Sequence, residues 1–326
     1  MKSVRERFQA EFSQEIKYID DIIQEAANSS RPVLTEAVDD LISAGGKRVR
    51  PLLLVSAWKV NNGGNRKEKI LPLAAAVEIL HMATLVHDDL IDEADKRRGV
   101  PSAGSKFGTD RALFVGDYLL NRAYALFHSH LSPEIFPRLD KVLKKICEGE
   151  LKEFESRYDS DLSFLDYIRQ IRRKTALLFG FATFTGAYEG GIRGRDLKLI
   201  YRYGIQLGMA FQIQDDILDF VGSPEKLGKP VGRDLANGVY SLPVLMLLQQ
   251  QEYASQVKSI LQQESIAGED LQKLNRLMQK AGVRERVNSL LQRYIHRAKK
   301  AGESLQRQGT SDRLLFFLEI LQKRNS

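Results

Sequence analysis

Apolar residues recur at helical spacing along almost the whole chain, and this restricts the fold more than any other feature. Ile16, Ile19, Ile22 and Ile23 make one stripe. Leu71, Ala74, Ala75, Ile79 and Met82 make another that runs into Val86. Leu177, Phe181 and Phe184 follow, then Ile205, Leu207, Met209 and Ile213. Only nine prolines interrupt 326 residues, which leaves room for long helices. Alternating strand patterns are few. "RPLLLVS" could pass for a strand, but Pro51 can equally open a helix at its first position. Breaks fall at "NNGGN" (61–65), "RRGVPSAGSKFG" (97–108) and "VGSPEKLGKPVGRD" (221–234). No low-complexity tract, short repeat or linker-like change of composition divides the chain. The expectation is one all-α domain over 1–326, about a dozen helices carrying two functional loops.

A chain that is 43% hydrophobic can build a core, which excludes a disordered chain. Its net charge of +7 points to an anionic partner: nucleic acid, a membrane surface or phosphorylated small molecules. The single cysteine, Cys147, permits no intrachain disulfide. In "LKKICEGELKEF" it has no histidine close by, so a packing role is expected. The amphipathic N-terminus lacks a secretory apolar stretch, and no segment approaches the roughly 18 to 20 consecutive apolar residues of a membrane span. A soluble, cytoplasmic protein is expected, with at most transient membrane contact.

The chemistry concentrates in two acidic clusters. "DDLID" at 88–92 is echoed by "DDILD" at 215–219, each after an apolar helical run and each before a loop with glycine and lysine. On a helix Asp88 and Asp92 project about 40° apart, with Asp89 about 60° from Asp92 on its other side. Asp215, Asp216 and Asp219 repeat the spacing. A lone acidic cluster reads as a solvated face. Here Leu85, Val86, Leu90 and Ile91 surround the first, and Phe211, Ile213, Ile217, Leu218 and Phe220 the second. Carboxylates among apolar residues are costly unless paired with cations or metal. Two such clusters suit Mg²⁺, which takes hard oxygens from one or two carboxylates and completes its shell with water and substrate phosphate.

Cations alternate with these clusters: Lys47 and Arg50 in "GGKRVRP", Arg97 and Arg98 after the first cluster, Lys174 in "RRKTA", Lys229 in "GKP". Arginine forks fit phosphate oxygens, and lysine supplies a point charge. A nucleic-acid binder would carry a basic stripe without acidic pockets between, so diphosphate substrates fit better. Arg48 reads as an ordinary surface cation. His87 in "HDD" could suggest a metal phosphohydrolase. However, His128 and His130 project about 200° apart on a helix and make a poor second pair, so His87 is expected to be structural.

In this order, "GGKRVRP", "HMATLVHDDLIDEADKRRG", "GDYLL", "EGE", "KTA", "FQIQDDILD", "GKPVGRDL" and "SLP" resemble the trans-polyprenyl diphosphate synthases over nearly the whole chain. These enzymes condense isopentenyl diphosphate with an allylic diphosphate. The resemblance implies an all-α, single-domain bundle around a deep central cavity, and three Mg²⁺ ions held chiefly by Asp88, Asp92 and Asp215. Asp89, Asp216 and Asp219 are expected to ligate more weakly or to hold metal-bound water. Arg97, Lys174 and Lys229 would bind the allylic diphosphate, and Lys47, Arg50, His81 and Arg98 isopentenyl diphosphate. Gln212, Thr175 and the Lys174 carbonyl would face the carbocation left when the allylic C–O bond ionises, and the departing diphosphate would take the proton.

The resemblance also locates chain-length control at Ala83 and Thr84, one turn before the first cluster. An aromatic residue there closes the cavity early in the family. These small side chains imply a longer product. "NGVYSLP" puts Val239 where many members carry a lysine, as in catalytic subunits of two-component hexaprenyl and heptaprenyl synthases. This implies a medium-to-long product for a quinone side chain and a small non-catalytic partner, with a self-sufficient homodimer as the alternative. A terpene cyclase would mix Asn, Ser or Thr with Glu in its second motif, and a scaffold subunit would lack one or both motifs.

Overall fold

The computed structural model describes residues 4–61, 67–221, 235, 237–263, 266, 268–305 and 312–322. Among them the chain is helical almost throughout, as the periodicity requires. The helices are α1 (Val4–Ala26), α2 (Pro32–Ser43), α3 (Val49–Lys59), α4 (Lys67–Ile91), α5 (Ala103–Phe107) and α6 (Thr109–His130). Then come α7 (Phe136–Glu155), α8 (Phe164–Ile171), a π turn (Arg172–Ala176), α9 (Leu177–Glu189) and α10 (Gly194–Val221). The last five are α11 (Leu242–Leu248), α12 (Gln251–Leu261), α13 (Gly268–Lys280), α14 (Val283–Glu303) and α15 (Asp312–Gln322). The "RPLLLVS" run is helical, but α3 starts at Val49, so Pro51 is its third residue rather than its first. The described strands are two residues each, Lys96–Arg97 and Val100–Pro101, paired antiparallel.

The chain forms two compact units. One comprises Met1–Asp140, Leu178–Gly204 and Lys299–Ser326, the other Lys141–Leu177 and Ile205–Ala298. In the first unit α4 is the central element and packs on α1, α3 and α6. Leu73, Ala74, Ala75, Ala76, Val77 and Ile79 are all fully buried, so α4 is apolar around its circumference, as a helix enclosed by others must be. Its Glu68–Ile91 stretch is long and apolar enough to cross a membrane by length and composition, which corrects the sequence reading. Two-thirds of that stretch is nevertheless buried inside the protein, the position of a core helix.

In the second unit Ile146, Tyr167, Ile171, Leu207, Ile213, Leu242, Leu245, Val257 and Leu274 are buried. Ser163 starts α8 with a reciprocal cap: its hydroxyl accepts from the Asp166 N–H at 3.1 Å and donates to the Asp166 carboxylate at 2.6 Å. Cys147 does not pack. It is exposed on the outer side of α7, because the helix buries Ile146 and Gly149 and turns residue 147 outward.

Two glycines let α9 approach α3 closely in the first unit. A Cβ on Gly186 would lie 1.9 Å from the Leu54 carbonyl oxygen, and one on Gly190 would lie 2.7 Å from that of Trp58. Backbone cannot yield as a flexible side chain does. Gly186→Ala is therefore expected to lower stability by about 1–3 kcal/mol despite alanine's better helix propensity. Urea titration followed by circular dichroism measures it, and a midpoint at or above wild type would refute the close crossing.

Candidate active site

The C-terminal half of α4 carries an accessible stripe. His81, Thr84, Leu85, Asp88 and Asp92 keep partial exposure at spacings of three and four, while Met82, Ala83, Val86 and Asp89 are buried. The three aspartates therefore do not share one role. Asp88 and Asp92 lie on the open stripe. Asp89 is turned inward, where Arg97 grips it with a fork: Nε donates to Oδ2 at 2.5 Å and Nη2 to Oδ1 at 2.7 Å. Arg97 Nη2 also lies 3.4 Å from the Leu85 carbonyl. Such a bidentate, charge-assisted pair is stronger than a neutral hydrogen bond. It holds Arg97 against the helix that carries the motif.

Arg97 reaches back because the chain reverses just beyond it. Arg98 and Gly99 have φ of 51° and 86°, a two-residue turn of the hairpin type with both central residues left-handed. This hairpin escaped the sequence reading. A residue–glycine pair between two short runs was the available signal, but strands of two residues leave no alternation to detect.

The "GGKRVRP" segment is fixed by the residue that sequence placed at the surface. Arg48 is only 4% exposed. Its Nε donates to Asp20 of α1 at 2.8 Å and its Nη1 to buried Glu78 of α4 at 3.2 Å. The reason is conformational: φ of 45° at Arg48, just ahead of α3, turns its side chain inward. Lys47 on one side stays exposed and Arg50 on the other half-buried, with the Arg50 guanidinium over the Phe179 ring at 4.8 Å. Gly46 brings the loop against Arg98, since a Cβ there would lie 2.9 Å from Arg98 Nη1 and 3.0 Å from Arg48 Nη1. His81 sits among these cations. Burial, and then the charges of Arg50, Arg97, Arg98 and Arg48, push its imidazole well below its ordinary value. At neutral pH it is an uncharged hydrogen-bonding group within a field of guanidiniums.

At the chain-length positions, Ala83 is fully buried. Thr84 lies on the accessible stripe, its hydroxyl bonded to the His81 carbonyl at 2.8 Å. His87 packs on the opposite side, against Gly116 of "GDYLL", where a Cβ would lie 2.2 Å from its Nε2. Asp117 Oδ1 is 3.5 Å from that nitrogen.

In the second unit α10 repeats the division of labour. Gln212, Asp215 and Asp219 keep partial exposure, and Asp216 is buried. Asp216 accepts from Tyr167 Oη at 2.7 Å, the Leu242 N–H at 3.0 Å and Gln212 Nε2 at 3.0 Å. Gln212 Oε1 in turn accepts from the Thr175 hydroxyl at 2.7 Å. Lys174 and Thr175 lie in the π turn Arg172–Ala176, a helical defect often found at functional sites. Lys174 Nζ sits between Glu150 at 3.0 Å and Glu153 at 2.7 Å. This explains part of "EGE": Glu150 pairs with Lys174, and Gly149 lets α7 approach, since a Cβ there would lie 2.7 Å from Arg173 Cβ. Val239 follows Gly238, which packs flat on the Tyr158 ring. Lys229 lies outside the described residues.

The donor set fits Mg²⁺. Among the described residues no three carboxylates, histidines or cysteines gather closely enough to hold an ion. Each stripe instead offers two carboxylates four residues apart, Asp88 with Asp92 and Asp215 with Asp219, with phosphate-type cations on the same unit. Magnesium accepts such partial sets, because water and substrate phosphate complete its shell.

An all-helical chain with these two acidic stripes defines an α-helical prenyltransferase, and comparison with known proteins gives the family. The polyprenyl synthetase family model matches residues 31–278. The chain is 36% identical over 231 residues to heptaprenyl diphosphate synthase component 2 of Geobacillus stearothermophilus, covering 71% of this chain and 72% of that one. Its fold is similar to the heptaprenyl diphosphate synthase of Staphylococcus aureus, with a TM-score of 0.90, 29% identity and coverage of 97% and 99%. It is likewise similar to a Caulobacter crescentus polyprenyl synthase solved with calcium and isoprenyl diphosphate, with a TM-score of 0.91, 30% identity and coverage of 99% and 98%. The chain belongs to the polyprenyl synthetase family.

The Arg48 cluster generates a stability prediction. Arg48→Ala leaves the buried Glu78 carboxylate without its cation, a change that typically costs about 3–5 kcal/mol. Adding Glu78→Gln should recover much of the loss. Chemical denaturation of the two variants tests this, and a single-mutant loss of under about 1 kcal/mol would restore Arg48 to the surface role.

Proposed function

We propose that this chain catalyses the Mg²⁺-dependent condensation of isopentenyl diphosphate with an allylic diphosphate, repeated until a hexaprenyl or heptaprenyl diphosphate is formed for a quinone side chain. The observation that carries the reading is the sorting of each aspartate cluster into outward and inward members. The outward pairs, Asp88 with Asp92 and Asp215 with Asp219, keep partial exposure on their helices, and the inward members, Asp89 and Asp216, are buried against donors of the protein. In this reading Asp88, Asp92 and Asp215 hold the metal, expected to be three ions. When bound there, Mg²⁺ would supply positive charge to offset that growing on the departing diphosphate.

The chain's own residues do the rest. His81, Arg50, Arg98 and Lys47 bind isopentenyl diphosphate: the guanidiniums supply charge, and the neutral imidazole a directed hydrogen bond. Lys174, Arg97 and Lys229 serve the allylic diphosphate in this reading. Arg97 acts from a position already fixed by Asp89, so little side-chain entropy is lost when it meets phosphate. Lys174 meets the substrate from a position held by its two glutamates. The Gln212 and Thr175 oxygens turn partial negative charge toward the allylic cation. The name of the Geobacillus relative, a component 2, supports a two-component enzyme in which a small non-catalytic subunit completes the activity. A cytoplasmic location, with product released at a membrane, fits that role.

The test is steady-state condensation with labelled isopentenyl diphosphate, with and without a co-encoded small subunit. Asp88→Ala and Asp215→Ala should each lower turnover by orders of magnitude while circular dichroism stays unchanged. Near wild-type turnover in either would reject the assignment.

Chain length gives a second test. Thr84 is on the accessible stripe, so an aromatic ring there meets the growing tail, whereas at Ala83 it would enter packed core. Thr84→Phe should give an active enzyme with shorter products, read by thin-layer chromatography. Ala83→Phe should mainly lose stability, by about 1–3 kcal/mol. Unchanged products from folded, active Thr84→Phe would move the tail's path elsewhere.

A further inference from the structure

The second acidic motif contains a carboxylate that the proposed metal chemistry does not use. Asp216 is 6% exposed, and both of its oxygens are engaged: Oδ1 accepts from Gln212 Nε2, and Oδ2 from Tyr167 Oη and the Leu242 N–H. The donors come from three elements, α8, α10 itself and the first residue of α11. Burial, and then the charge of Asp216, push the Tyr167 phenol well above its ordinary value, so it stays protonated and donates. Leu242 belongs to "SLP", and Tyr167 to no motif that the sequence reading singled out.

We infer that Asp216 is a positioning residue that sets the direction of the Gln212 side-chain amide and pins the start of α11 to α10. A carboxylate can only accept, so the Gln212 group facing it must be the NH₂. The amide oxygen is thereby turned toward Thr175, whose hydroxyl donates to it. This direction matters on the functional reading above, on which the inference rests, because that reading aims the Gln212 oxygen at a developing cation. A dipole fixed before the reaction stabilises charge without reorganising at the moment it forms. The backbone bond at Leu242 has a separate consequence. Residues 238 and 242 are each tied to this unit, Gly238 by its carbonyl accepting from the Tyr158 N–H at 2.8 Å and Leu242 by Asp216, so the segment between them is anchored at both ends.

Asp216→Asn separates this role from metal ligation. Asparagine can donate as well as accept, so its NH₂ can bond the Gln212 oxygen and reverse the amide. Its own oxygen still accepts from Leu242. The expected result is kcat lower by roughly 10- to 100-fold, the range for removing a group that orients a reacting shell, with the Mg²⁺ concentration for half-maximal rate and both KM values within about two-fold of wild type. Tyr167→Phe, which keeps the Gln212 and Leu242 bonds, should lose less activity than Asp216→Asn. A second readout needs no turnover. In the metal-free protein, hydrogen exchange at the Leu242 amide should quicken at least ten-fold in Asp216→Ala and stay unchanged in Asp216→Asn and Asp215→Ala. A raised Mg²⁺ requirement in Asp216→Asn would overturn the inference in favour of a metal role. Unchanged Leu242 exchange in Asp216→Ala would overturn it too, and if that variant fails to fold, the Asp216→Asn and Tyr167→Phe kinetics still decide. Absence of condensation by the wild-type chain, with and without a partner subunit, would instead remove the functional reading and leave the exchange result standing.

Discussion

Like charges packed into one helical turn must be compensated, and the site depends on how that is done. Two adjacent aspartates and a third one turn later repel each other and lie beside apolar residues. In both motifs the middle carboxylate is withdrawn into the protein and given strong donors, a guanidinium fork at Asp89 and three separate donors at Asp216. Hydrogen bonds to a charged group typically contribute about 1.5–3 kcal/mol each, enough to offset burial. The outer pair keeps partial exposure at the helix surface. Compensation and function are thus divided among neighbours in the sequence.

The same device orders the cations. Arg97 is oriented by Asp89, Lys174 by Glu150 and Glu153, and the Lys47–Arg50 segment by Arg48, whose own charge is met by Glu78 and Asp20. Cations close to one another within a unit would otherwise repel. Carboxylates hold them in place, and His81, kept neutral among four arginines, adds no charge to the cluster. The family membership agrees with this arrangement, and the proposed chemistry needs no protein base: once the diphosphate leaves, it is itself the nearest acceptor of a proton.

Helix identity, the breaks and the two acidic motifs were legible in the sequence because each follows from local rules: apolar period, proline scarcity and the 100° step of a helix. That step brings Asp88 and Asp92, or Asp215 and Asp219, onto one face whatever surrounds them. The resemblance carried by the ordered motifs supplied the family and the candidate residues.

What periodicity cannot give is which way a polar side chain turns, since partners distant in sequence decide that. A left-handed φ at Arg48 puts a residue that reads as surface into the core, against Asp20 and Glu78, 28 and 30 positions away. Ala83 and Thr84 are adjacent, both small, and neither is set apart by a motif. Packing on the neighbouring helices seals one and opens the other. Asp216 looks identical to Asp215 in sequence, and only the arrival of Tyr167 from α8 and the Leu242 amide from α11 separates their roles. The sequence by itself determined the helices and the set of charges they carry. The tertiary structure decided which of those charges stay partly exposed and which are buried to hold the others still, because burial and hydrogen bonding depend on elements that meet only when the chain folds.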